Sequence, residues 1–222
     1  MPRSPDRGDA PLLCAHNLVL SLPPLPPLRV PDLIVPSSSL VAILATGQDG
    51  PPILTRALLE TLAGNRRVES GSVFFLDREL GRSAPGWARE QGLSLLAPEE
   101  GYDAAKSVEE NLRRSAGSSL PLWIFPFLPL EESLSVEAGR LSPVERRWLA
   151  LGCALAPRPR LLLLERPLEG LPRLPREALL ERLLRISLEE GIAFCFTAEP
   201  SPLLHTAATS AYRIASGLLA AD

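Results

Sequence analysis

The stretch Pro157-Arg158-Pro159-Arg160-Leu161-Leu162-Leu163-Leu164-Glu165-Arg166-Pro167-Leu168-Glu169-Gly170-Leu171 decides how the rest of the chain is read. Four consecutive leucines between turn-forming segments are too few for a helix and too uniformly apolar for a strand with one wet face. They predict a strand buried on both sides, the kind found in parallel sheets covered by helices. The flanking sequence supplies those helices. Upstream, Ser142-Pro143-Val144-Glu145 combines an S-x-x-E capping box with proline in the first helical position, which starts a helix running to about Ala156. Downstream, Arg176 to Glu190 is amphipathic at helical spacing and is stopped by Gly191, and Ile192 to Thr197 reads as a further buried strand.

Towards the N-terminus, Leu13 to Leu22 alternates loosely, the prolines of 23–27 interrupt it, and Leu28 to Val35 is again extended. This pair predicts an antiparallel β layer. Leu40 to Ala45 is a short apolar run ending at Thr46-Gly47-Gln48-Asp49-Gly50, after which Ile53 to Ala63 has helical periodicity up to Gly64. Ser72 to Leu76 and Leu93 to Leu96 read as strands and Val108 to Arg114 as the start of a helix, while the middle third is less regular. Strands alternating with helices at this spacing predict an α/β domain with a mainly parallel central sheet, the N-terminal antiparallel β layer and a small helical lobe. The boundaries expected are a flexible N-terminus over 1–11 and one domain over 12–222, with the lobe at about 99–156.

The bulk numbers narrow the function classes. A length of 222 residues with 45% hydrophobic content supports one sizeable core. A net charge of -3 disfavours nucleic acid or an anionic membrane surface as partner. Cys14, Cys153 and Cys195 are far apart and lack metal-ligand spacing to His16 or His205, so they are read as reduced core residues and no metal site is expected. The first eleven residues contain no apolar signal-like stretch. The most apolar run, 120–130, is broken by three prolines and falls short of the ~20 residues that span a bilayer, so no direct membrane insertion is expected.

Taken in order, these segments resemble the ATP-binding cassette ATPase family, whose domains are P-loop NTPase-like, and the resemblance covers roughly Leu12 to Ala220. The leucine strand and its sequel are similar to the Walker B strand and D-loop, P-x-L-L-L-L-D-E-P-x-x-G-L-D. Leu141-Ser142-Pro143-Val144-Glu145, followed by Arg146-Arg147 and Ala150-Leu151, resembles the signature L-S-G-G-Q and its helix. Ser107-Val108-Glu109-Glu110-Asn111-Leu112 is similar to the T-V-x-E-N-L segment, and Ser70-Gly71-Ser72-Val73 to S-G-x-V.

At the positions that carry chemistry the chain departs from that pattern. A Walker A loop, G-x-x-x-x-G-K-[ST], cradles phosphates on backbone amides, with a Lys on the β/γ-phosphates and a hydroxyl on Mg²⁺. Here it reads Ala45-Thr46-Gly47-Gln48-Asp49-Gly50-Pro51-Pro52, with Pro51 in the Lys position and Pro52 in the hydroxyl position. Both prolines also lack an N–H, and Asp49 adds a negative charge. Each charge-assisted contact is worth about 1.5–3 kcal/mol, so the combined loss predicts no tight ATP binding. Glu165 replaces the Walker B Asp, Arg166 the catalytic carboxylate and Ala198 the switch His. Pro98 or Glu99 falls at the Q-loop Gln, Pro172 at the D-loop Asp, and no aromatic residue between Ala15 and Leu40 can stack on adenine. No catalytic residue is assigned.

The resemblance implies two kinds of partner: a transmembrane subunit of a transporter-like complex and a second cassette, of the same or another chain, pairing head to tail. Ser142 could face the partner's nucleotide, although Pro143 and Val144 replace glycines and Glu145 adds a carboxylate. Trp123, Phe125 and Phe127 fall in the lobe where the family receives its membrane subunit, which makes them candidate docking anchors; core filling is the alternative. Arg146, Arg147, Arg158 and Arg160 are read as solvated surface. The expected function is a catalytically degenerate subunit acting as scaffold or regulatory partner, cytoplasmic and peripheral to the membrane through its partners, with no cofactor. The alternative is a weakly nucleotide-binding half of an asymmetric pair, which would take ATP and Mg²⁺. A free binding module unrelated to membranes is the third possibility.

Overall fold

The computed structural model describes residues 11–97 and 101–222. The expectation of a flexible N-terminus lies outside these residues except at Pro11, which opens the first strand, and the Q-loop positions Pro98 and Glu99 lie outside them as well.

Among the described residues, ten strands form one sheet. In chain order they are β1 (Pro11–Leu20), β2 (Leu28–Pro36), β3 (Leu40–Leu44), β4 (Ser70–Phe75), β5 (Arg78–Glu79), β6 (Leu93–Leu96), β7 (Leu161–Leu164), β8 (Ala193–Ala198), β9 (Ser210–Ala215) and β10 (Leu218–Ala221). Their spatial order is β5-β4-β1-β2-β10-β9-β3-β8-β7-β6. The half containing β3, β8, β7 and β6 is parallel, and the N-terminal half is antiparallel. The helices are α1 (Pro52–Leu62), α2 (Trp87–Glu90), α3 (Val108–Ala116), α4 (Pro143–Leu155), α5 (Arg173–Glu190) and α6 (Pro202–Ala207).

Side-chain alternation in the central strands builds a core on each face of the sheet. Leu40, Ala42 and Leu44 of β3, Leu162 and Leu164 of β7, and Phe194 and Phe196 of β8 point to one face. Val41, Ile43, Leu161, Leu163, Ala193 and Cys195 point to the other. A strand whose successive side chains are all apolar is what two covered faces require, and every residue of Leu161–Leu164 is buried. Residues 101–160 carry α3, three short 3₁₀ turns and α4. Their buried Leu112, Ile124, Phe127 and Leu149 belong to the same apolar cluster as Phe194 and Phe196, so this segment packs on the sheet face instead of closing a core of its own.

The C-terminal hairpin β9–β10 was not legible in the sequence. Its strands, Ser-Ala-Tyr-Arg-Ile-Ala and Leu-Leu-Ala-Ala, are short and bury one large side chain each, Ile214 and Leu219, and pairing specifies them: β9 lies parallel to β3, while β10 meets β2 at Leu218 and Arg29. The antiparallel layer is therefore continuous with the parallel half. Arg29 N–H donates to the Gly217 carbonyl at 2.8 Å, and Ile34 N–H donates to the Tyr212 hydroxyl at 3.0 Å. Helix α5 begins three residues earlier than its periodicity suggests, at Arg173 behind Pro172, and ends at Gly191 in the left-handed conformation as expected. Gly71, at φ +83, sits where a Cβ would come within 2.4 Å of the Asn17 carbonyl oxygen, which explains glycine at the irregular β1–β4 pairing.

Phe196 is fully buried in the central strand. Phe196→Ala should cost about 3–5 kcal/mol, measured as a lower midpoint in urea with an unchanged slope.

Candidate functional site

Strands β3, β8 and β7 are parallel neighbours, so the segments following their C-terminal ends, at 45–51, 199–201 and 165–172, gather along one edge of the sheet. Ligands of open α/β sheets bind at such an edge. The structure thus brings the Walker A-like, Walker B-like and switch positions together, as their order in the sequence implies.

The loop 45–52 closes on itself. Gly50 N–H donates to the Thr46 carbonyl at 2.7 Å, and a Cβ on Gly50 would lie 2.3 Å from that of Ala45, so only glycine fits. Pro51 is the N-cap of α1 and Pro52 its first residue, and neither has an N–H to offer an anion. Leu54 N–H donates to the Pro51 carbonyl at 2.9 Å. Asp49 turns sideways: its carboxylate accepts from Ser216 N–H at 3.0 Å and from the Thr46 hydroxyl at 3.4 Å, tying the loop to the β9–β10 turn. Gly47 and Gln48 stand exposed at the tip.

At the end of β7, Glu165 is buried, with its side chain 8% exposed, and lies 3.8 Å from the Arg56 guanidinium of α1. Arg56 also holds Glu60 at 3.1 Å. The next residue, Arg166, has φ 43, in the left-handed region, and its N–H donates to the Thr197 hydroxyl at 3.0 Å. Its guanidinium folds onto Glu169 at 2.7 Å. Arg147 reaches the carbonyls of Arg166 and Glu169 at 3.5 and 3.3 Å. A guanidinium cannot accept a proton, so Arg166 supplies no general base. Ala198 ends β8, its carbonyl accepting from Ala45 N–H at 2.9 Å. Two cavities of about 260 and 120 Å³ open here, both lined by Arg166 and Glu169 and neither by residues 45–52. Each is smaller than the about 300–1,000 Å³ usual for a small-ligand pocket.

The signature-like segment forms the predicted cap. Glu145 N–H donates to the Ser142 hydroxyl at 3.3 Å, and Ser142 N–H donates to the Glu145 carboxylate at 2.8 Å. Hydrogen bonding of the carboxylate to the Ser142 side chain and to the Ser142 N–H holds the Glu145 carboxyl below its ordinary value. Leu141 is buried, Ser142 and Pro143 are exposed, and Val144 is half-buried against the core.

The aromatic segment requires a correction. Phe127 is 4% exposed and meets Trp123 edge-on with ring centroids 6.4 Å apart, so it fills the core and presents no surface to a partner. Trp123 and Phe125 are half-buried against the same cluster. Prolines at 121, 126 and 129 turn the chain so that the ring of Phe127 faces inward, and a local reading of composition does not reveal which side of such a turn is wet. The arginines read as solvated surface also differ in their settings. Arg147 packs at the end of β7, whereas Arg158 and Arg160 line a cleft of about 1350 Å³ with Arg66, Arg67 and Arg89. Because the cleft assembles residues far apart in the chain, its only signal in the sequence was those isolated arginines.

Among the described residues no group of His, Cys, Asp and Glu could hold a metal ion, and no helix is long and apolar enough to cross a membrane. Cys153 and Cys195 are buried thiols, and burial pushes them up to about 11 and about 12 respectively. Cys14 is half-buried, and burial raises it as well.

A sheet of this topology, with a glycine loop running into α1 at its edge, defines an α/β domain of the P-loop NTPase type. Comparisons with known proteins specify it further. No protein-family model matches the chain. A probable branched-chain amino acid transport ATP-binding protein, LivF, of Archaeoglobus fulgidus is 24% identical over 197 residues, covering 85% of this chain and 82% of that protein. An ATP-binding cassette of an ABC transporter in its ADP conformation superposes with a TM-score of 0.80 at 16% identity, covering 95% of this chain and 90% of the other. The cbiO1 protein of Clostridium perfringens, part of the ABC transporter complex cbiONQ, gives 0.79 at 17% identity, with 95% and 87% covered. The chain has the fold of an ATP-binding cassette ATPase domain, and its neighbours in sequence and structure are cassettes of ABC transporters.

Two measurements check this description. At pH 8 a maleimide should modify Cys14 first and reach Cys153 and Cys195 only when the chain unfolds, as read by mass spectrometry through a urea series. Phe127→Ala should lower stability by about 3–5 kcal/mol, as expected of a core aromatic and not of a surface anchor.

Proposed function

We propose that the chain is a pseudo-ATPase: a cassette subunit that serves as a scaffold or regulatory partner in a membrane transporter or similar assembly and does not hydrolyse ATP. One observation carries the reading. At residues 50–52, where a phosphate would rest, the Gly50 amide is spent on Thr46 and the two following residues are prolines without amides. No lysine stands in the loop 45–52, and the Asp49 carboxylate is engaged with Ser216. The end of β7 adds support, because Arg166 cannot act as a base and is neutralised by Glu169.

The subunit is proposed to work beside a transmembrane subunit and a second cassette, at the cytoplasmic face of a membrane and held there by those partners. The similarity to LivF and to a component of the cbiONQ complex supports this setting. With Phe127 withdrawn into the core, the surface we assign to the partner moves to the large cleft beside Arg158 and Trp123. A second reading, a weakly binding half of an asymmetric pair, is favoured only by Ser142. That residue is exposed at the head of α4, although its hydroxyl already accepts from Glu145 N–H.

Calorimetric titration separates the two. Mg-ATP should bind the full chain no more tightly than about 1 mM, a free energy of about 4 kcal/mol or less. A micromolar Kd would establish the second reading and end the first.

A further inference from the structure

The larger of the two cavities at the end of β7, of about 260 Å³, lies between that strand end and the first turns of α4. Three arginines and two glutamates line it, and their pairing is unequal. Arg166 holds Glu169 at 2.7 Å, Glu165 lies beside Arg56 of α1, and Arg147 is turned onto the carbonyls of Arg166 and Glu169. Arg146, the residue before it on α4, is half-buried, and among the described residues its guanidinium meets no carboxylate or other acceptor. Tyr102 belongs to the same lining, also half-buried, and among the described residues its hydroxyl has no partner either.

The rest of the lining is mainly apolar. Leu96, Ala150, Leu164, Pro167 and Leu171 contribute to the walls, and Ala150, Leu164 and Leu171 are buried. Water held loosely against such walls is displaced with gain by an apolar group. A guanidinium that has lost part of its hydration and found no acceptor favours an anion beside it. One unanswered cation matches one negative charge, and the Glu165 and Glu169 carboxylates in the same lining repel a phosphate dianion or a polyphosphate more strongly than a monoanion. At the ~30 Å³ that a water occupies, the cavity has room for about nine non-hydrogen atoms, which suits a carboxylate carried on a single ring or a short branched chain.

We propose that this cavity is a binding site for a small apolar monocarboxylate. The Arg146 guanidinium grips the carboxylate, the Tyr102 hydroxyl donates to it, and the hydrocarbon body rests among Leu164, Leu171 and Ala150. None of residues 45–52 lines the cavity, so a chain found to bind Mg-ATP would lose the pseudo-ATPase reading and leave this site standing.

The probe is benzoate, titrated into the full chain and followed by saturation-transfer NMR, with benzamide as the uncharged molecule of the same shape. Benzoate should bind at least about tenfold more tightly than benzamide, because only the acid can pair with the guanidinium. Arg146→Gln should weaken benzoate at least about tenfold and leave benzamide unchanged. The substitution breaks no ion pair within the protein, so its Tm should stay near that of the parent. Ala150→Leu, which extends a side chain into the cavity, should weaken both ligands. Arg160→Gln, in the large cleft, should weaken neither. Equal affinity for acid and amide, undiminished benzoate binding in Arg146→Gln, loss of binding in Arg160→Gln instead, or no detectable binding at millimolar benzoate would each overturn the proposal. So would inorganic phosphate displacing benzoate at equal concentration.

Discussion

Two adjacent prolines at the head of α1 set the terms for the whole edge of the sheet. A helix N-terminus ordinarily presents several free amides and a positive end to its surroundings. With Pro51 as N-cap and Pro52 as first residue, two of the donors nearest the strand end do not exist, and the loop before them turns inward. Gly50 donates back to Thr46, Asp49 reaches the β9–β10 turn, and the residues left at the tip are the exposed Gly47 and Gln48. The loop keeps the course of an anion cradle while its hydrogen bonds are made within the protein.

The charges behind that loop follow the same logic. A buried carboxylate is tolerated only with partners, and Glu165 lies beside Arg56 of α1. Arg166 is paired with Glu169 of the following turn, and Arg147 braces the carbonyls of both. Arg56, Arg147 and Arg166 therefore each have a resident counterpart. These contacts join α1, β7 and α4 directly.

Much of this was legible because it depends on patterns that local chemistry enforces. The Ser142–Glu145 capping box and the Gly191 stop were readable since each is satisfied within a few residues of itself, and the four-leucine strand because its uniformly apolar residues record two covered faces. The juxtaposition of 45–52, 165–166 and 198 followed once the strands were known to be parallel. What escaped is held by contacts distant in sequence. Arg56 meets Glu165 across more than a hundred positions, and the arginines of the basic cleft come from three separate segments, at 66–67, 89 and 158–160. The β9–β10 hairpin has strands of six and four residues, and its place in the sheet is set by pairing with the distant β3 and β2. Phe127 shows the converse, since an aromatic cluster between prolines looks the same in sequence whether the turn leaves it outside or folds it in.

The seam between the two halves of the sheet has a temporal consequence. Strands β1, β2 and β4 leave the ribosome early and can pair among themselves, and β3 and β6 to β8 can assemble as each crossover is completed. Yet β2 and β3 are joined through β10 and β9, which are translated after every other strand. Until residues 210–221 emerge, the nascent chain holds two partial sheets with open edges facing each other. Among the described strands, the pair that emerges last is the one that unites them.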